Sequence, residues 1–327
     1  MSKLTYYPIE LHSHTYHSDG EFSPEELLQS ARDFGYKGIF LTDHNTNSGL
    51  DDIYENKFDK KILKAFHGIE WTTFYGHLLI LGSKDAGNYT KAILDNIEEC
   101  INEIKSSNPN IVIGIAHPFD IGNPLCTGCH FEYLVNDYSK FNYIELVNSE
   151  NAHASKSTLK AYKHWIELLE EGYRLAALAG RDWHRPSNPG ESVGINMLGM
   201  DGEVSESNAL KAIRNLRTYI SYEPIIDLDL DKVELGDEIY DKKIWGSLSL
   251  LKSNFENKDK LNIIPKKFII YNNRKVIYEK NINYNENISF KLNDLDLGYI
   301  RFEVLGEMKA MDNQRLVITS PIFIKEK

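Results

Sequence analysis

His12 and His14 stand two residues apart behind the apolar-polar run 4–11. On an extended strand that spacing sends both imidazoles off one face, where their neutral nitrogens can hold one divalent cation. Alone, such a pair is more often a solvated or core feature. The chain repeats the theme with Asp19 in Ser18-Asp19-Gly20, His44 in Thr42-Asp43-His44, then Glu70, His77, His117, and finally Asp182 and His184, most of them beside an apolar run. All are hard or borderline metal-ligand types. Gathered on one rim without cations, they would repel one another or carry a desolvation cost, so bound divalent ions are the simplest resolution. Two or three such ions suit hydrolysis of a charged ester, because they lower the pKa of a water and accept charge building on the ester oxygens.

The elements that must deliver these residues follow in order. Residues 4–11 predict a strand ending at His12. Ser23-Pro24-Glu25-Glu26 predicts a helix start, with Ser23 as N-cap, Pro24 at N1 and Glu26 closing a capping box, and Gly35 stops the helix. Residues 38–41, 64–70, 77–81, 111–116, 143–147 and 175–179 predict strands, and most have a candidate ligand at one end. Helices are predicted over 89–106 and 156–171, then a strand and helix near 193–198 and 205–217. This alternation predicts a parallel α/β barrel of the TIM type, or a relative missing a strand. After Pro224, period-2 runs such as 268–271, 275–278 and 300–304 lie between Asn- and Gly-containing turns. They predict an antiparallel β-sandwich. The expected organisation is a barrel over 1–224 and a sandwich over 225–327.

A formal charge of −11 argues against a dedicated nucleic-acid surface, although carboxylates loaded with dications present positive charge to a phosphate. No run reaches membrane-spanning length and no apolar leader core precedes His12, so no membrane partner is expected. Three cysteines do not make a disulfide framework, and the cytoplasm is the expected location. The oligomeric state is left open.

In their order, His12-x-His14, Ser18-Asp19-Gly20, Thr42-Asp43-His44-Asn45, Gly68-Ile69-Glu70, Gly76-His77, Ala116-His117-Pro118 and Asp182-x-His184 resemble the motifs of the polymerase-and-histidinol-phosphatase (PHP) superfamily. The resemblance covers roughly residues 8–222. The C-terminal strands, ending in Thr319-Ser320-Pro321-Ile322-Phe323, look like the sandwich of the branch named for a carbamate-ester hydrolase. The resemblance implies a distorted seven-stranded β/α barrel with two or three divalent ions (Mn, Fe or Zn) at its rim. It further implies that His12, His14, Glu70 and Asp182 hold a first ion. Glu70 would bridge to a second held by His77 and His117, and Asp19, His44 and His184 would hold a third. His17 lies close enough to compete with Asp19. Asp43 is expected to orient a ligand imidazole through its other nitrogen, and Glu145 either does the same or simply ends its strand.

The implied activity is a metal-dependent phosphoesterase acting on a small phosphomonoester or phosphodiester, such as a nucleotide or sugar phosphate. A carboxylic or carbamate ester hydrolase and a non-catalytic metal-binding module are the alternatives, and the complete ligand set favours an enzyme. Glu70, His184, Arg181 and Arg185 are the catalytic candidates, with His184 a proton donor if no metal claims it. Arg181 replaces the usual serine of the last motif. It either reads a phosphate or pairs with a barrel carboxylate. Arg185 is a second candidate for an anionic group, and Trp183 reads as packing. Cys126-Thr127-Gly128-Cys129-His130 matches the C-x-x-C-H haem pattern, but without an export leader no haem is expected. The motif reads as loop packing ahead of a rim metal or reactive thiol. His67, His153 and His164 read as structural neighbours.

Overall fold

A computed structural model describes residues 4–85, 87–121, 129–255 and 261–326. The first half of the described chain runs β1 (Thr5–Glu10), α1 (Pro24–Phe34), β2 (Gly38–Leu41), α2 (Ser48–Asn56), α3 (Phe58–Lys61), β3 (Ala65–Thr73), β4 (Gly76–Leu81), α4 (Ile97–Ser107), β5 (Val112–Ile115), β6 (Tyr143–Asn148), α5 (Lys156–Glu170) and β7 (Ala176–Gly180). It continues with β8 (Ile195–Met200), α6 (Glu206–Arg214), β9 (Thr218–Ser221), β10 (Ile225–Asp229), β11 (Glu238–Ile239), β12 (Ile244–Leu251), β13 (Ile264–Asn272), β14 (Lys275–Asn281), β15 (Asn287–Leu292), β16 (Gly298–Met308), β17 (Met311–Thr319) and β18 (Ile322–Ile324). The protein is therefore of mixed α/β class.

Local chemistry explains where α1 begins and ends. Ser23 Oγ accepts the Glu26 N–H, the Ser23 N–H donates to Glu26 Oε2 at 2.9 Å, and Pro24 opens the first turn. Gly35 closes the helix at φ 119°, a left-handed conformation that costs glycine little. Leu27, Leu28, Ala31 and Phe34 form the buried face. The helix expected over 89–106 is shorter. Asn88 Oδ1 accepts the Thr90 N–H and Asn96 Oδ1 accepts the Ile93 N–H, so asparagine side chains draw the backbone into a 3₁₀ turn and loop before α4.

Strand directions are mixed, which corrects the parallel expectation. β1, β2 and β3 pair in parallel, as do β5, β6 and β7. β3, β4 and β5 pair antiparallel, and β8 runs antiparallel to both β1 and β9. Only Phe74 and Tyr75 separate β3 from β4, and a two-residue connection admits a hairpin but no crossover. Backbone pairing carries the sheet from β9 through β8 and β1 to β7. The Asn196 side chain on β8 then reaches β7, where Oδ1 accepts the Ala179 N–H at 2.8 Å and Nδ2 donates to the Ala179 carbonyl at 2.6 Å.

The C-terminal strands join this sheet. β17 pairs antiparallel with β9, and β16, β18, β11, β13 and β14 extend it to a sheet of 15 strands among the described residues. A second sheet, β10-β12-β15, packs against it, with the Phe268 and Phe290 rings 5.6 Å apart. Among the described residues no helix is long and apolar enough to cross a membrane.

Candidate metal centre

The strand ends bring the predicted ligands together. β1 delivers His12 and His14, and the chain then turns back on itself, with the Ser18 and Gly20 N–H groups both donating to the Thr15 carbonyl. That turn presents Asp19. His44 follows β2 and forms an isolated bridge with Glu70 of β3. His77 stands on β4, His117 follows β5, and Asp182 and His184 follow β7.

Glu70 is the hub. It is fully buried, and its Oε1 lies 2.8 Å from His77 Nδ1 and 3.0 Å from His117 Nε2. Its Oε2 lies 3.2 Å from His12 Nε2, 3.3 Å from His14 Nε2 and 3.1 Å from His44 Nδ1. Asp182 Oδ1 stands 3.3 Å from His12 Nε2 and 3.1 Å from His14 Nε2. Asp19 Oδ1 lies 3.1 Å from His184 Nε2 and 3.4 Å from His44 Nε2. Candidate ligand atoms within 4.8 Å of one another fall into the sets His12-His14-Glu70-Asp182, His44-Glu70-His77 and His14-Asp19-His44-His184. The first matches the implied first ion. The second contains His44 in addition to His77, while His117 approaches the same carboxylate oxygen as His77. The third contains the implied trio together with His14.

Two buried acids hold the ligands from behind. Glu145 Oε1 accepts from His12 Nδ1 at 3.0 Å, and its Oε2 accepts the His117 backbone N–H at 3.0 Å and an Asn148 Nδ2 hydrogen at 3.3 Å. A bulge between Glu145 and Val147 interrupts the β6–β7 register beside it, a device that re-aims side chains near sites. Glu10, which sequence reasoning missed, is 1 % exposed, and its Oε1 accepts the N–H groups of His12 and Arg181. It therefore ties the end of β1 to the end of β7. Its one sequence signal was an acid inside an otherwise apolar strand end. Asp182 and His117 have φ of 48° and 25°; Glu145 holds the His117 N–H, and Glu10 holds the N–H of Arg181 just before Asp182.

The electrostatics describe a cluster short of positive charge. Burial alone would raise the Glu70 carboxyl, but the surrounding imidazoles of His12, His117 and His14 hold it well below the usual carboxylate range. Asp182 is likewise lowered against its burial, chiefly by His12 and His14. Burial would lower the imidazoles, yet Glu70 lifts His117 to about 9, and Asp19 with Asp182 lifts His184 to about 9. Without a metal the carboxylates take up their missing cations as protons on histidine.

The donor set fits divalent ions. His12 Nε2, His14 Nε2 and Glu70 Oε2 are buried and have no hydrogen-bond partner, a costly arrangement unless something else claims their lone pairs. Two ligands each about 2.1 Å from a tetrahedral ion lie about 3.4 Å apart. The separations of 3.1–3.3 Å among His12, His14, Glu70 and Asp182 are close to that spacing.

Other predicted residues stand elsewhere. Arg181 is 1 % exposed, its guanidinium lies 3.5 Å from the Trp183 ring, and Nη2 contacts Glu150 and Ser187. This is the carboxylate-pairing alternative, and it corrects the phosphate-reading one, since a guanidinium so enclosed cannot meet a substrate. Arg185 is exposed and pairs with Glu191 at 3.2 Å. Trp183 is buried, edge-on to Phe22. His17 turns away to Ser48 and Asp52, leaving Asp19 to face the imidazoles. Asp43 touches no imidazole, contrary to expectation, and binds the turn after His14 instead. Of the C-x-x-C-H motif, Cys126-Thr127-Gly128 lie outside the described residues, while the Cys129 carbonyl accepts from His117 Nδ1 at 3.0 Å.

Among solved structures, a two-domain protein of Bacteroides vulgatus, described as containing a predicted PHP-like metal-dependent phosphoesterase, is 14 % identical with a TM-score of 0.57, over 98 % of this chain and 96 % of that one. This likeness is one of fold. A provisionally assigned metal-dependent phosphoesterase of Bifidobacterium adolescentis is 15 % identical with a TM-score of 0.37, over 57 % of this chain and 90 % of its own. An amidohydrolase of Chromobacterium violaceum is 16 % identical with a TM-score of 0.35, over 55 % and 88 %. No curated protein matches the chain. A PHP domain model matches residues 10–181, more than half of the sequence, and spans Glu70 with the imidazoles of His12, His14, His44, His77 and His117. The chain belongs to the PHP domain family.

Proposed function

We propose that the protein is a hydrolase of small phosphate esters that works with two or three divalent ions. The carrying observation is Glu70, one buried carboxylate whose two oxygens face separate sets of imidazoles. In this reading His12, His14, Glu70 and Asp182 hold one ion. Glu70 would be shared with a second ion that His77 and His117 would hold with His44 alongside, and Asp19, His44 and His184 would hold a third. Mn, Fe and Zn all suit these ligands. Such ions supply Lewis acidity and a water acidified enough to attack at neutral pH. The protein's part is to fix the donors and keep them dry: Glu145 and Glu10 hold the backbone and ring of His12, and His117 and Asp182 are locked in strained conformations. His184, partly exposed beside Asp19, would serve as general acid only where no ion claims it; otherwise the departing alkoxide would take its proton from water.

Charge supports a phosphate substrate. Three dications, +6, would still outweigh Asp19, Glu70 and Asp182 together with the buried Glu145 and Asp43 beside them, −5 if all are ionised and Glu10 is set against Arg181, and the screening length of about 8 Å removes most of the acidic exterior from the balance. The resident fold is proposed as the distorted seven-stranded barrel with an appended sandwich, divided near residue 224. Elemental analysis after purification without chelator should find at least two equivalents of Mn, Fe or Zn. A metal-replete screen across sugar phosphates, nucleotides and aryl esters should then show phosphate release. Turnover of carboxylic or carbamate esters alone would refute the phosphoesterase reading.

A further inference from the structure

Asp43 is fully buried immediately before His44, yet its carboxylate serves a different stretch of chain. Oδ1 accepts the Thr15 N–H at 2.7 Å and the Ser18 hydroxyl at 2.7 Å, and Oδ2 accepts the Thr15 hydroxyl at 2.8 Å. Thr15 Oγ1 in turn accepts the His17 N–H at 3.2 Å. Space for the carboxylate is reserved by Gly49, where a Cβ would stand 2.4 Å from Asp43 Oδ2 and 2.9 Å from Thr15 Oγ1. The clamped turn is tight, since a Cβ on Gly20 would lie 2.5 Å from the His14 carbonyl oxygen. At its tip stands Asp19, whose side chain is 57 % exposed, in contrast to the buried His12, His14 and Glu70.

We propose that Asp43 is a positioning residue for the third metal set: by clamping turn 15–18 it fixes where the Asp19 carboxylate meets His44 and His184. The inference rests on the metal reading above. An exposed carboxylate on an unheld turn has many positions available, and here Oδ1 lies within 3.4 Å of both imidazoles. Three charge-assisted hydrogen bonds, each roughly twice as strong as a neutral one, remove that freedom. Because Asp43 and His44 are adjacent, the end of β2 supplies one ligand and the strut for another. The two ligands are thereby held in a fixed relation. Neither the first set nor the second has a member on residues 15–19; His14 and His44 flank the clamp but stand at the ends of β1 and β2, so the effect should fall chiefly on the third set.

The test is a Mn²⁺ titration of the full chain, read as equivalents bound and as the dissociation constant of the weakest step. Asp19→Ala should lose one equivalent. Asp43→Asn supplies a single oxygen for three donors, so its weakest step should weaken by roughly 10- to 100-fold, the range for loss of a group that orients a ligand. The remaining equivalents should be unchanged. Ser18→Ala removes one strut at a more accessible residue and should shift the same step in the same direction, even if Asp43→Asn does not fold. If Asp19→Ala loses an equivalent while Asp43→Asn and Ser18→Ala bind within threefold of the parent, the clamp is overturned and the metal reading stands. If Asp43→Asn weakens every step equally, the residue supports the whole site and the selective role is wrong. If Asp19→Ala retains every equivalent, the third set fails and the clamp with it.

Discussion

Glu145→Gln separates orientation of a ligand from charge, and its outcome follows from counting donors. The carboxylate accepts from His12 Nδ1, from the His117 N–H and from Asn148 Nδ2. When His12 Nε2 is given to an ion, Nδ1 must carry the ring's proton and donate. An amide of the same shape has one oxygen for these donors and brings two hydrogens of its own. With its oxygen toward His117 and Asn148, its NH₂ abuts the Nδ1 proton. With its oxygen toward His12, its NH₂ abuts a buried backbone N–H. Either mismatch costs about 1–3 kcal/mol. The first orientation satisfies two donors and is the better one for the metal-free chain. There the His12 imidazole is held well above its ordinary value against burial by Glu145, Glu70 and Asp182. Once the Glu145 charge is gone, it can give up its Nδ1 proton and keep the Nε2 proton that faces Glu70 and Asp182. The penalty then falls on metal binding, at about 1.4 kcal/mol per factor of ten. The ion held by His12 should bind roughly 10- to 100-fold more weakly, while the unfolding midpoint of the metal-free protein stays near that of the parent. Isothermal titration with Zn²⁺ or Mn²⁺, alongside urea unfolding in chelator, measures both. Affinity within threefold of the parent would refute the orienting role. So would an affinity loss matched by an equal loss of metal-free stability.

Two further predictions follow from the charges. His117 and His184 are lifted to about 9, so at pH 7.5 both carry protons that a metal must displace. Metal uptake should release protons, and affinity should fall as the pH drops. Titrations in two buffers of different ionisation enthalpy would reveal this, and zero release would contradict it. Arg181→Ala should act on stability and leave the metal content of folded molecules intact. Burial already raises the Glu10 carboxyl, and Arg181 is the main influence lowering it. Without that cation the folded-state pKa rises further above its unfolded value, so stability is present at low pH and lost as the pH climbs through the folded value. The deficit against the parent should be smallest near pH 5, where the loss of packing on Trp183 remains, and should grow by about 3–5 kcal/mol by pH 8. A deficit independent of pH would refute this account.

The ligand set was legible in the sequence because metal chemistry restricts residue types and strand ends restrict spacing. His12, His14, Glu70 and Asp182 meet as the motif order implied. The choice of Asp19 over His17 was not legible, since it depends on a turn whose direction Asp43 and Gly49 set from elsewhere in the chain. Asp43 itself was misread for the same reason: motif position suggested an imidazole partner, whereas its partners, Thr15 and Ser18, are ordinary turn residues. Glu10 was missed because a period-2 pattern says which face a residue takes and nothing about which backbone N–H groups await it there. The antiparallel β3–β4 pair was missed because the strands were expected to end at 70 and begin at 77, whereas β3 runs on to Thr73 and β4 begins at Gly76, leaving the two-residue connection of a hairpin. Arg181 could be reduced to two readings from its neighbours in sequence, but its enclosure by Trp183, Glu150 and Ser187 is a tertiary fact.

The pairing of β9 with both β8 and β17 has a consequence for dissection of the gene. A chain cut after Pro224 would keep every proposed metal ligand but expose one side of β9, with the backbone groups of Tyr219, Ile220 and Ser221 unpaired beside apolar neighbours. Bare strands of that kind recruit copies of themselves. The truncated product should therefore self-associate, and its failure to behave as a monomer would say nothing about the metal site. Shortened relatives of this protein would need a charged, bulged or covered strand in place of β9.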